Sequence, residues 1–557
     1  MQTTNFGIVG YSRDGTLLWS ASLDPDEEPL PTYFWEGLPL PDPQDPADDI
    51  GDPRVLYDHF TGRFIVTALR FKARTFYFAM SHDDTPASGT RADWDTFVRP
   101  GLDPDPGGTA IIDWPGLAVN QHAIYLCTIL PGGHVLQRLE RPAIGDLAFY
   151  DSEPARHRRL VLSQLPPLFN HTNQLRLPMP ALQLDASNED VIHLVQLATR
   201  GVLNSQTDPG VVRVISVTNA TTETTWTVGV EGSGDIDPNS QYQLCPETLR
   251  VQNFKENIQN AVVSDGRLVF TRASVYSGML PESTIELPGR SVARWYVADL
   301  HGWPANPTPG PELIDRGVVD GGHVFGYGEK EDYGVQIIFP LIMPAPDGGL
   351  ALFFTRYHRF GYFDLCWAGR RAGDPPGVMG APITVSRGGE AGITDVTKPG
   401  DYEGIAPDPL DPARYWGTGE TGRCFFELDN PCPACTVGYT QGYKHTSIGS
   451  YTIPADPIRT LTVARLLGDQ PDSIYVKVSL CDVYQHADGE LSTDFPEFVR
   501  SYGHGSQVTL LAPVVEGWVF SGWIINTEGG APLAPTNRMT TIPLSANRTA
   551  TPWYVRE

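Results

Sequence analysis

The stretch "GDPRVLYDHFTGRFIVTALRF", Gly51 to Phe71, holds two apolar runs separated by the polar turn "DHFTG". Branched and aromatic residues favour extended backbone and the turn lets the second run fold back, so the stretch predicts an antiparallel hairpin. The same shape recurs as "LAVNQHAIYLCTI" from Leu117, "ALQLDASNEDVIHLVQL" from Ala181 and "NAVVSDGRLVFTRA" from Asn260. It returns as "PLIMPAPDGGLALFFTR" from Pro340 and "YEGIAPDPLDPARYWGTGE" from Tyr402. Copies spaced roughly 60 to 80 residues apart are too far apart for solenoid rungs and suit the inner strands of propeller blades. Each inner run is apolar on both faces, so neighbours must cover it, and a closed ring covers all of them. The expected fold is therefore all-β: a six- to eight-bladed β-propeller followed by a small C-terminal β module. A β-sandwich is the rival architecture. The hairpins should occupy equivalent inner positions in separate sheets. "RTFYFAMSHD", "HVLQRLER", "VVRVISVTN" and "SVARWYVADL" alternate apolar with polar residues and are expected as half-exposed outer strands.

Composition narrows the function. The chain has 557 residues, 66 acidic against 40 basic, for a formal charge of −26. That balance repels phosphate backbones and anionic lipid, so nucleic acid is not an expected partner. The 56 Gly and 50 Pro punctuate apolar runs and do not pool in tracts, as a fold of many turns requires. No membrane span is expected, because no run approaches the roughly 20 apolar residues a span needs. The start "MQTTNFGIVGYSRDG" has neither a basic segment nor an apolar one, so a mature form or an unsignalled chain is expected. Seven cysteines are too sparse for a disulfide scaffold, and Cys127 and Cys366 read as buried small hydrophobes.

On these residues the chain resembles the bacterial sialidase-like β-propeller proteins over about residues 4–425. "DPRVLYDHFTGRFIVTAL", "DWPGLAVNQHAIYLC" and "GDYEGIAPDPLDPARYWGTGE" carry the likeness. "SRDGTLLW" approaches that family's repeated Asp-box, with its glycine one place early. Residues 456–557 resemble a bacterial repeat domain, with Tyr502, Gly505, Val508, Leu510, Gly517, Phe520 and Trp523 in characteristic places. The resulting division is 1–430 propeller, 431–455 junction and 456–557 C-terminal β domain, the last a spacer or attachment unit.

The resemblance implies a search for glycosidase parts: an arginine cluster that clamps a carboxylate, and a tyrosine nucleophile assisted by carboxylates. Arg54, Arg272 and Arg356 each border an inner strand, and Tyr57 and Tyr402 lie close to such positions. None can be matched to a catalytic position, so ordinary blade residues are the competing reading. Asp401, Glu403, Asp408 and Asp411 are the candidate metal ligands, hard oxygen donors of the kind Ca²⁺ takes. The acidic runs at 24–29, 42–53 and 103–108 lack EF-hand spacing and read as solvated loops stiffened by proline. Cys424, Cys432 and Cys435 are disulfide candidates at the junction, with free thiols or a zinc site as alternatives.

The expected function is non-catalytic: a surface recognition or structural protein, adhesin-like or a phage fibre, spike or decoration component. Its partner would be a surface glycan or a protein scaffold, within a larger assembly or homo-oligomer. Tyr33, Trp35, Tyr357 and Tyr362 are the candidate ligand-binding aromatics, since they interleave with charged residues in "YFWEG" and "YHRFGYFD". The expected location is extracellular, on a cell or virion surface. A sialidase-like glycoside hydrolase is the alternative.

Overall fold

The computed structural model describes residues 1–3, 7–23, 32–39, 50–71, 73–100, 113–130, 133–162, 178–187, 189–198, 211–219, 222–229, 242–245, 249–252, 258–276, 290–306, 308–319, 323–324, 333–334, 336–358, 361–380, 382–386, 403–423, 443–453, 459–464, 471, 476–478, 483–484, 498–502, 507–527 and 534–557. The fold is all-β. An N-terminal sheet is built from β1 (Gln2–Thr3), β2 (Gly7–Tyr11) and β3 (Leu17–Ser22). Sheet one follows as β4 (Ile50–Asp58), β5 (Arg63–Arg70), β6 (Thr75–Ser81) and β7 (Trp94–Pro100), an antiparallel meander. Sheet two repeats the plan with β8 (Asp113–Val119), β9 (Ile124–Leu130), β10 (Gly133–Leu139) and β11 (His157–Val161). Sheet three has β12 (Met179–Gln183), β13 (Val191–Ala198), β14 (Val211–Thr218) and β15 (Thr222–Gly229).

A small hairpin, β16 (Tyr242–Cys245) and β17 (Leu249–Gln252), precedes sheet four, which has β18 (Ile258–Ser264), β19 (Arg267–Tyr276), β20 (Arg290–Asp299) and β21 (Glu312–Val319). After the short pair β22 (His323–Val324) and β23 (Tyr333–Gly334), sheet five has β24 (Gln336–Pro344), β25 (Leu350–His358), β26 (Gly361–Arg370) and β27 (Ile383–Ser386). Sheet six has β28 (Gly404–Asp408), β29 (Asp411–Arg423) and β30 (Tyr443–Thr452). Every recurring hairpin of the sequence is thus the first two strands of a sheet.

The first strands stand side by side in a closed order: β4 by β8, β8 by β12, β12 by β18, β18 by β24, β24 by β28, and β28 by β4. This is a propeller-like arrangement. One expectation fails locally, because β12 and β18 pair in parallel from Ala181–Ala261 to Gln183–Val263 and join sheets three and four into one hydrogen-bonded sheet. Neighbouring first strands that run the same way and approach closely can share a few rungs.

The cores lie in the seams between sheets. Ile65, Leu69, Phe76 and Phe78 of sheet one share a cluster with Val119, Ile124 and Leu126 of sheet two. Val66, Ala68, Tyr77 and Ala79, on the opposite parity, pack with Ile8, Trp19 and Ala21 of the N-terminal sheet. Tyr125, Cys127 and Leu136 meet Ile192 and Leu194 of sheet three. Sheet four meets sheet five through Val269, Trp295, Ile342, Leu352 and Phe354, and sheet five meets sheet six through Phe353, Trp367, Tyr415 and Tyr451. Cys127 and Cys366 are buried among apolar residues, as expected. The third strands correct the half-exposed reading: all but the first residue of β6 is buried. A strand with a sheet packed on each face has no solvent side, whatever its sequence alternation.

The stretch read as a junction, 431–455, is corrected in part, because Tyr443–Thr452 forms β30 along the whole edge of β29. The C-terminal residues have their own core, with Leu461, Tyr502, Val508, Leu510, Trp523, Ile525 and Tyr554 in one cluster. Their strands are β31 (Arg459–Val463), β32 (Lys477–Val478), β33 (Val483–Tyr484), β34 (Phe498–Tyr502), β35 (Gln507–Leu511), β36 (Trp518–Thr527), β37 (Met539–Pro543) and β38 (Arg548–Arg556). They form the orders β33-β34-β31-β38-β36 and β32-β35-β37, and β33 also pairs with the outer edge of β21. No helix is long and apolar enough to cross a membrane among the described residues.

Candidate functional site

The first strands of the ring carry bulges. Register slips between Gly51 and Arg54, Asp113 and Gly116, Ile258 and Asn260, and Ile338 and Leu341, each near the N-terminal end of a first strand. Three of the slips contain a proline, Pro53, Pro115 or Pro340. Proline brings no N–H to the ladder, so the chain leaves the pairing there and re-aims the residues beside it. Asp52 and Phe339 take left-handed φ angles of 52° and 49° at these points.

The groups so aimed tie one sheet to the next. Arg54 Nε donates to the Pro115 carbonyl at 2.9 Å, joining sheets one and two. Gly116 faces Pro180 of sheet three so closely that a Cβ would lie 2.6 Å from the proline Cδ. Asn260 spans sheets four and five, donating to the Ile342 carbonyl at 2.7 Å and accepting from its N–H at 2.9 Å. The Thr355 hydroxyl donates to Glu403, joining sheets five and six.

The glycosidase candidates occupy separate places in this lattice. Arg356 pairs with Asp364 of the neighbouring strand at 3.1 Å. Arg272 is wholly buried, with Nε 3.3 Å from the Tyr296 hydroxyl. Tyr57 is half-buried, its ring 5.0 Å from that of Phe64. Burial first, then the negative charges of Asp84 and Asp58, push its phenol above the ordinary value. That direction is opposite to the one that activates a nucleophile. Tyr402 lies outside the described residues.

The carboxylates proposed for a metal have protein partners. Asp408 accepts from Arg13 at 2.6 Å, from the Trp416 indole at 2.9 Å and from the Leu410 N–H at 2.9 Å. Asp411 accepts from the Ala413 N–H at 3.2 Å and lies 3.5 Å from Arg414. Among the described residues no group of three or more His, Cys, Asp or Glu is placed to hold a metal ion. Asp401 and the three junction cysteines, Cys424, Cys432 and Cys435, lie outside the described residues.

The aromatic expectations divide. Trp35, expected to face a ligand, is instead 0% exposed, edge-to-face with Phe34 and Tyr77 against sheet one. A ring enclosed on all sides cannot stack on a sugar. Tyr33 is half-buried, bridged through its backbone to Ser22. The side chains of Tyr357 and Tyr362 lie outside the described residues.

Sequence reasoning missed a polar network at the hairpin turns. Asp190 accepts from Tyr125, from Asn120 at 3.2 Å and from Arg138 Nε at 2.8 Å, binding sheet two to the turn of sheet three. Burial raises the Asp190 pKa, but the bonds from Tyr125, Arg138 and Asn120 outweigh it and hold the carboxyl below its ordinary value. Asp58 takes the same part between sheets one and two, its two oxygens accepting from Nε and one terminal nitrogen of the Arg141 fork. The signal available was "NQHA", an Asx-type turn at Asn120 whose side chain caps the N–H groups of His122 and Ala123.

No protein-family model matches the chain, and no curated protein matches it. Among solved structures it is similar to a sialidase of Trypanosoma rangeli in complex with sialic acid, at 10% identity and a TM-score of 0.32, over 75% of this chain and 55% of that one. The chain thus spans about half the length of that sialidase. It is similar to a protein of unknown function from Dyadobacter fermentans at 9% identity and TM-score 0.24, covering 81% and 96% of the two chains. An endo-arabinase from Bacteroides thetaiotaomicron is similar at 14% identity and TM-score 0.18, over 51% and 96%.

Proposed function

We propose that the protein is a non-catalytic recognition or structural propeller of six hairpin blades, with the N-terminal three-stranded sheet filling the seam between last and first. It would present the loops of its ring ends to a surface glycan or a protein scaffold, outside the cell or on a virion. The C-terminal β module would attach it to a larger assembly. The observation that carries this reading is the commitment of the three arginines within the chain: Arg356 to Asp364, Arg54 to the Pro115 carbonyl, and Arg272 to a wholly buried place beside Tyr296. A carboxylate clamp needs guanidinium groups turned to one open pocket, and freeing Arg356 would leave Asp364 without its cation.

The test is direct. The purified chain is incubated with a fluorogenic sialoside and with a fluorogenic arabinoside, and in parallel is applied to an array of glycans and to surface proteins. Binding without release of fluorophore is the expected result. Turnover of either substrate, abolished by Arg356→Ala but not by heat-matched controls, would replace this reading with the glycoside hydrolase one.

A further inference from the structure

Three consecutive seams each carry a histidine. His157 of β11 lies between sheets one and two, its ring 5.9 Å from that of Phe76 and its Nε2 2.8 Å from Gln137 Oε1. His134 of β10 lies between sheets two and three, its Nε2 accepting from the Gln196 amide at 3.4 Å. His193 of β13 lies on the side of sheet four, its Nδ1 2.5 Å from Ser216 Oγ and its ring 6.3 Å from that of Trp303. His134 is 5% exposed and His193 8%, whereas His157 is half-buried.

Among the described residues, no carboxylate faces any of the three to receive a second proton's charge. The charged groups that face His157 are Arg159 of its own strand and Arg99 of β7, the latter paired with Asp151. Arg213 of β14 faces His134, and its guanidinium is held by Glu223 of β15 at 2.7 Å. Burial is what pushes His193 down. A proton added to His134 or His193 would create a buried cation and one added to His157 a half-buried one, next to another cation in the cases of His134 and His157.

We propose that His134, His157 and His193 form an acid-sensing device, neutral seam residues near pH 7 whose protonation loosens sheets one to four from one another. The seam between sheets five and six, filled by Phe353, Trp367, Tyr415 and Tyr451, encloses no described histidine and stays closed. Burial first, and neighbouring arginine for His134 and His157, lowers each of the three to about 4. A histidine depressed in the folded state contributes its full stability above its ordinary value near 6.5 and loses it as pH falls towards 4. Over that window each proton site shifts the closed-to-open ratio by about a hundredfold.

Amide hydrogen exchange of the full chain at pH 7.0 and 4.5, corrected for intrinsic rates, tests the device. Protection should fall by at least tenfold in β9 to β14 at the lower pH while β25 and β29 change little. His134→Gln and His193→Gln should each move the loss to lower pH. A proton NMR titration of the unaltered chain guards against variants that fail to fold. Three imidazoles that titrate near 6.5 with the sheets still protected would overturn the proposal. Uniform loss of protection in all six sheets would overturn it as well.

Discussion

Arg13 and Asp408, 395 positions apart, meet at 2.6 Å and fasten the turn of the N-terminal sheet to the turn of sheet six. The Asp408 side chain is buried, so its charge is satisfied almost entirely by this arginine, the Trp416 indole and the Leu410 N–H. Burial raises its pKa, but those bonds together prevail and hold it below the ordinary carboxylate value. Its stabilisation is therefore present above about pH 4 and is lost as pH falls through its depressed folded value.

Asp408→Ala should destabilise the ring by about 2–3 kcal/mol, because it strands the half-buried Trp416 indole N–H as well as the arginine. Arg13→Ala, whose side chain is half exposed, should cost about 1 kcal/mol. Urea melts of the two single variants and the double variant check this. Effects that simply add would mean that the pair is not coupled.

Trp35→Ala should cost about 3–5 kcal/mol, as removal of a core indole does. Glycan binding at a temperature where the variant is folded should equal that of the unaltered chain. A selective loss of binding with unchanged melting would return Trp35 to the ligand site.

Gly417→Ala should destabilise the seam between sheets five and six by about 1–3 kcal/mol. A Cβ there would lie 2.7 Å from both the Phe353 and Trp367 rings, and these pack on each other with Trp367 stacked on Tyr451, so neither can swing away. Calorimetry of the variant measures the effect, and an unchanged melting temperature would contradict the tight seam.

Limited proteolysis should cut between Thr452 and Arg459 and release a stable fragment of about 100 residues, within the usual size of a domain. The cluster around Trp523 is internal to that fragment. Trp523→Ala should then unfold the C-terminal part while the main thermal transition stays in place. One merged transition in both proteins would show that the pairing of β21 with β33 couples the two parts.

Much of this fold could be read along the chain because a hairpin is local: "VLYDHFTGRFIV" carries both strands and their turn within a dozen residues. What was misread depends on distant neighbours. "YKHTSIGSYT" is polar and rich in small residues, yet it is a full strand, because the free edge of β29 holds its backbone groups. Trp35 looks like a loop aromatic beside Glu36, and only the outward face of sheet one explains its burial. The candidate arginines were found by their places beside inner strands. Their partners were not, since Pro115 is 61 positions from Arg54 and reaches it through the ring.

The N-terminal sheet also sets an order of events during synthesis. Residues 2–22 and Trp35 leave the ribosome before sheet one and cover one face of that sheet through Ile8, Trp19 and Ala21 as soon as it forms. The nascent chain therefore carries only one uncovered apolar face at a time, and each new sheet covers the last. Asp408 emerges nearly 400 residues after Arg13, an interval of roughly 20 to 80 s at 5–20 residues per second. Ribosome-bound chains ending at residue 160 should already shield Trp94 from a soluble quencher, whereas chains lacking residues 2–22 should leave it accessible and be captured by chaperones.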